Sequence, residues 1–232
     1  YSAVSAPQGP SMPSSVAAGI LLPCTTNRRT GRSMSEDLTT GGHVRPITRW
    51  GTPVMHETTR PVTEFGDELH ELVRDMFATM RAAEGVGLAA TQVGVGVSVF
   101  IYECPDADDR VQRGVVCNPV VELPRGKDRN LDITEEGCLS WPGGYSGVPR
   151  PDKAICRGQD AYGKEIELLG TGLLARCFQH ETDHLNGTVF GDRISDRSRR
   201  KLDAQVADLA WRYPEDWPIS PKRDSAPRPG EQ

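Results

Sequence analysis

The chain has 232 residues and a formal net charge of −5, with 37% hydrophobic and 25% charged residues. That balance allows one or two globular domains and carries no long basic stripe, which excludes an electrostatic nucleic-acid binder. No apolar run is long enough to cross a bilayer, so neither a membrane nor nucleic acid is expected as a direct partner.

Residues 1–42 are rich in Ser, Pro, Gly, Thr and Ala, and residues 218–232 are polar and proline-rich. Neither stretch can bury enough apolar surface to offset its ordering entropy. Both are expected to be disordered extensions of one domain over residues 43–217. Val16 to Cys24 is weakly leader-like, but it is short and no basic residues precede it. Met34 is a candidate start of the working protein. The six cysteines are widely spaced, which fits reduced thiols in a cytoplasmic protein better than a disulfide framework.

His43 to Pro61 is an irregular wrap broken by Pro46, Pro53 and Pro61. Asp67 to Ala83 predicts an amphipathic helix, because Leu69, Leu72, Val73, Met76, Phe77 and Met80 recur three or four apart. It ends at Gly85-Val-Gly-Leu-Ala-Ala-Thr-Gln92, whose small residues let backbone pass close to a ligand or simply stop the helix. Val97 to Tyr102 predicts a strand, Cys104 to Arg113 a polar loop, and Val115 to Leu123 a second strand with an edge or bulge at Pro119. Arg125 to Asn130 is a charged turn and Leu131 to Thr134 a short strand. Lys153 to Gln159 and Lys164 to Leu169 predict a hairpin around Tyr162-Gly163. Ser195 to Tyr213 predicts a last helix capped by Ser195. Arg197, Arg199, Arg200 and Lys201 give it a solvated start. The order of elements points to an α+β fold, with antiparallel strands around a central helix and further helices N- and C-terminal to it.

That central helix, Gly172 to Leu185, is apolar over much of its surface, with Thr171 as N-cap and Gly187 as stop. It carries His180-Glu181-Thr182-Asp183-His184. Histidines four apart share one helix face and can offer two imidazole nitrogens to one metal ion, with the glutamate beside them left to act on a water. Upstream, Cys138 follows a glycine in Glu135-Glu-Gly-Cys-Leu-Ser140, and its thiolate is a third possible ligand. Three readings fit these residue types: a catalytic centre with an open position, a zinc peptidase, and a closed structural zinc site with Cys177 or Cys117 as fourth ligand.

The ordered triple Gly85-Val-Gly-Leu-Ala-Ala-Thr-Gln92, Glu136-Gly-Cys-Leu-Ser140 and Gln179-His-Glu-Thr-Asp-His184 resembles the three signature motifs of the peptide deformylases. The resemblance implies removal of the formyl group from the N-terminal formylmethionine of new polypeptides in the cytoplasm. The formylated nascent peptide would be the partner and the ribosome a further candidate. It implies Cys138, His180 and His184 as ligands of one divalent ion, Fe(II) by family habit, with Zn(II), Ni(II) or Co(II) allowed. Glu181 would be general base and acid. Gln92 and the Leu139 backbone N–H would form the oxyanion hole, and Gly87 and Val86 would meet the peptide. Two positions depart from the pattern: Tyr145 stands where some members carry arginine, and Arg176 where many have an apolar pocket residue.

Overall fold

In the computed structural model, residues 36–225 are described. The expectations for residues 1–35, with Cys24, and for 226–232 lie outside them. α1 (Asp67–Ala82) buries the expected stripe: Val73, Met76, Phe77 and Met80 are fully enclosed. It packs with Leu88, Val99 and Ile101 in the largest core cluster.

The chain then lays down β1 (Gly87–Ala89), β2 (Val99–Pro105), β3 (Val111–Glu122), β4 (Leu131–Asp132), β5 (Glu135–Cys138), β6 (Trp141–Gly147), β7 (Arg150–Pro151), β8 (Lys153–Gln159) and β9 (Glu165–Thr171). One five-stranded sheet runs β1-β2-β3-β8-β9, every neighbour antiparallel. The pairs β4–β7 and β5–β6 stand apart from it. α2 (Leu173–Leu185) packs against β1, β2, β3, β8 and β9. Phe178 anchors it against Phe100 and Tyr102, and burying a phenylalanine of this kind contributes roughly 1.5–3 kcal/mol. α3 (Asp196–Leu209) closes the far side over β6, with Leu202 fully buried. Gly143 and Gly144 allow that approach, since a Cβ at Gly144 would stand 2.4 Å from the Leu202 side chain. The α+β architecture around a central helix is therefore as the sequence indicates.

Several local expectations change. Thr171 does not cap α2; it is the last residue of β9, and its hydroxyl accepts from the Ala107 N–H. Gly172 takes the cap position at φ +57. The expected loop from Cys104 to Arg113 shrinks to a tight turn, because β2 and β3 pair out to Pro105 and Val111. Of the two alternatives at Pro119, the bulge holds and the edge does not: it sits at a register shift between Cys117 and Val120, inside the sheet. Arg199 is not merely solvated: its guanidinium lies 4.2 Å from the Trp141 ring centroid and 4.7 Å from that of Trp50. Leu38 is buried, Gly42 lies against the α1 backbone, and Lys222 pairs with Glu84. Packed structure thus extends past both expected domain boundaries, 43 and 217.

The five described cysteines are free and buried. Burial pushes the Cys117 thiol up to about 12, with Asp160 adding to it, and burial alone does the same for Cys156. Unfolded thiols titrate near 8.5. Stability from these two groups is therefore whole below about pH 8.5 and is lost as pH rises towards 12. The melting temperature is expected to fall between about pH 9 and 11, and less steeply in Cys156→Ala; equal slopes for the two proteins would refute this assignment.

Candidate metal centre

β5 ends at Cys138, where the hairpin register shifts on turning into β6. α2 supplies His180 and His184, one turn apart on its buried face. The Cys138 sulfur lies 3.3 Å from His184 Nε2, which lies 3.1 Å from His180 Nε2. One ligand atom from each of the three buried residues falls within 4.8 Å of the others. Metal bonds of about 2.0–2.1 Å to nitrogen and 2.3 Å to sulfur at tetrahedral angles separate such atoms by roughly 3.3–3.6 Å. A divalent ion therefore fits among them with little adjustment.

The electrostatics agree. His184 is fully buried, its Nδ1 has no partner, and burial together with the His180 charge drives its pKa well down, which leaves a neutral imidazole. At His180, burial opposes the charged form, but Glu136 and Cys138 outweigh it and raise the pKa well above the usual value. His180 Nδ1 lies 2.6 Å from Glu136 Oε1. A cation would displace the Nε2 proton; in the neutral ring that results, the Nδ1 proton stays donated to that carboxylate, the usual second partner of a ligating histidine, and the Nε2 lone pair faces the ion.

Glu136 is the hub of a buried charge cluster. Arg150 grips it with two hydrogen bonds of 2.7 Å and reaches Asp183 at 2.9 Å. Arg176 adds a third donor at 2.8 Å, and Arg193 pairs with Asp183 from outside. Burial would raise the Glu136 carboxyl, but His180 and Arg150 hold it far below the carboxylate range. Sequence reasoning gave Glu136 no role, although it stands two residues before Cys138 inside a recognised motif. Its arginine partners, 14 and 40 positions downstream, carry no sequence signal that ties them to it.

Cys138 and His180 open on a cavity of about 320 Å³, with the fully buried His184 behind them; Val86, Gly87, Gln92, Leu139, Tyr145 and Glu181 also border it. Every residue expected at the site is thus brought to one place. Burial pushes the Glu181 carboxyl up to about 7, and its Oε2 has no partner; a cation among the ligands would pull that value back down. Gln92 sits in a short 3-10 turn, Ala90–Val93. Its Oε1 accepts from the Ala89 N–H at 2.9 Å, which aims its NH2 at Ser140 Oγ and the Cys138 sulfur at 3.3 and 3.6 Å. Gly87 is forced to be glycine: a Cβ there would stand 2.5 Å from Glu181 Oε1 and 2.6 Å from the Cys177 sulfur.

Neither Cys177 nor Cys117 joins the ligand cluster. Cys177 points at the Val86 carbonyl, and Cys117 belongs to the α1 core. The closed four-ligand site therefore does not form. Arg176 borders the cavity, but its guanidinium is tied to Glu136, the Val148 carbonyl and Asp132, so its charge is directed away from the pocket. Tyr145 is 56% exposed, with its ring over Gly137.

Residues 44–200 match the polypeptide deformylase family. The chain belongs to that family. Peptide deformylase 1 of Streptomyces avermitilis is 52% identical over 174 residues, covering 75% of this chain and 80% of the relative. The crystal structure of a Legionella pneumophila peptide deformylase superposes with a TM-score of 0.64 at 36% identity, covering 72% of this chain and 95% of that one. The Synechococcus elongatus enzyme in complex with actinonin gives 0.63 at 35%, covering 72% and 88%. As a deformylase, the protein is a metal-dependent hydrolase that removes the formyl group from the N-terminal methionine of nascent peptides. Its Glu136 hub predicts that Glu136→Gln loses several kcal/mol in urea unfolding, since buried cations are left uncompensated. Metal retention against a graded chelator is expected to weaken about 10–100-fold. Wild-type values in both measurements would remove Glu136 from the hub.

Proposed function

We propose that Cys138, His180 and His184 hold one divalent ion, Fe(II) in the cell, with Zn(II), Ni(II) or Co(II) able to take its place. The donor set supports a divalent ion: a thiolate with two imidazoles is softer than three imidazoles and allows iron without requiring it, and the choice of iron rests on the family resemblance. When bound, the ion supplies Lewis acidity that makes water a nucleophile near neutral pH.

The chain's own groups carry the remaining steps. Glu181 takes a proton from the attacking water and returns it to the leaving amine. The Gln92 amide and the Leu139 N–H stabilise the formyl oxygen as it becomes negative. Gln92 is already fixed by Ala89, so it is oriented before the charge develops. The methionine backbone runs beside β1, an edge strand. Val86 O accepts from the Glu103 N–H at 2.9 Å. By the alternation of an antiparallel pair, the N–H and C=O of Gly87 then face away from β2, towards the free edge. An extended peptide adds to such an edge, and Val86 helps receive the methionine side chain. The single observation that carries this reading is that Glu181, the Gly87 edge, Cys138 and His180 border one cavity, with His184 closing the ligand cluster from behind. Five free thiols suit the reducing cytoplasm, where formylated chains leave the ribosome.

Glu181→Ala is expected to keep its metal and lose about 10²–10⁴-fold in formate release from formyl-Met-Ala-Ser. Turnover within about tenfold of wild type at full metal content would eliminate the proton-transfer role. Gly87→Ala is expected to fold and to lose at least about tenfold in kcat/KM, because its Cβ displaces Glu181 or Cys177. Native kinetics in that variant would show that the crowding at Gly87 does not hold Glu181 in place.

A further inference from the structure

The family match ends at residue 200, yet Tyr213, Trp217 and Lys222 border the catalytic cavity. The segment that carries them is fastened at several points. The Trp217 carbonyl accepts from the Ile47 N–H at 2.9 Å, and the Pro214 carbonyl from Arg49 at 2.7 Å. Arg223 N–H donates to the Arg212 carbonyl at 2.9 Å, while Arg212 Nε donates to the Arg223 carbonyl at 3.2 Å. Trp217 is buried. Lys222 is thereby presented at the cavity rim, where its ammonium meets Glu84 Oε2 at 2.5 Å.

Glu84 is unusual in its own right. It follows the end of α1 at φ +58, with Gly85 N–H bonded to the Met80 carbonyl and Glu84 N–H to that of Arg81. This is the left-handed stop position that ordinarily takes glycine, and a glutamate there costs backbone energy. Glycine stands one residue later, so the sequence has a glutamate side chain where the backbone favours none. Glu84 is also the residue from which the chain enters the Gly85–Gly87 edge.

We infer that the segment from Tyr213 to Lys222 is a wall of the peptide cleft, strapped to the catalytic domain by the Glu84–Lys222 ion pair, and that it receives the residues following formylmethionine. The inference rests on the proposed peptide path beside β1. A chain that starts at the ligand cluster and runs back along Gly87 and Gly85 advances about 3.3 Å per residue. Its second and third residues then pass Glu84, Lys222, Tyr145 and Tyr213. Held by the strap, a longer peptide gains contacts that formyl-Met-amide cannot make.

The test compares kcat/KM for a formyl-Met tetrapeptide with that for formyl-Met-amide, in Glu84→Gly, Lys222→Met and the charge-exchanged Glu84→Lys/Lys222→Glu double variant. An exposed ion pair contributes modestly, so the tetrapeptide-to-amide ratio is expected to fall about fivefold in each single variant and to recover in the double. Glu84→Gly is expected to melt no lower than wild type, because it relieves the left-handed backbone. A ratio within about twofold of wild type in both single variants, or a double no better than the singles, would overturn the strap. If the peptide path itself is wrong, the wild-type protein shows no tetrapeptide-over-amide preference; if only the strap is wrong, that preference is present in wild type and unchanged in the strap variants.

Discussion

The structure depends on one buried carboxylate. Glu136 accepts from Arg150, Arg176 and His180, and none of these groups has adequate access to water. Charges taken out of water are costly unless each is paired and hydrogen-bonded. Here a single side chain satisfies a histidine of the candidate metal centre and two guanidiniums at once. Because Arg150 also reaches Asp183 on α2, the same network fixes the helix against β5 and β7. The sulfur and the two imidazoles meet because the hairpin and the helix cannot slide past one another without breaking it.

Much of this was legible in the sequence, for a physical reason. α1 and α2 declare themselves through apolar residues three and four apart, and the His-Glu-x-x-His pair needs only one helical turn to converge. Cys138, Gln92, Gly87 and Glu181 were recognisable because their motifs are contiguous. What was not legible depends on distant partners. Thr171 has the chemistry of a helix cap, but β9 claims it and Ala107 takes its hydroxyl. β1 is only three residues long, Gly87-Leu88-Ala89, with no alternation to reveal it; pairing with β2 makes it a strand. Arg176 looked misplaced at a pocket wall until Glu136, Val148 and Asp132 were seen around its guanidinium.

Small residues and tight packing serve the site in a specific way. Gly87 has no room for a methyl group because Glu181 and Cys177 lie against it, and that crowding keeps a carboxylate beside an open strand edge. Gln92 is likewise immobilised from behind by its own neighbour's N–H. Both groups are poised without help from a ligand, which limits the reorganisation that the reaction has to carry.

The five-stranded sheet has two ends, and they face opposite demands. An enzyme that received an extended chain at β1, as proposed, would risk stacking onto its own copies at β9, whose outer edge is likewise unpaired among the described residues. β9 begins Glu165-Ile166-Glu167, and Arg157 on β8 binds Glu167 and Glu122 across the exposed face. Any strand added there would have to displace these ionic groups and their hydration. One margin of the sheet is thus left open to the proposed peptide while the other repels added strands, an asymmetry that works against stacking into a fibre.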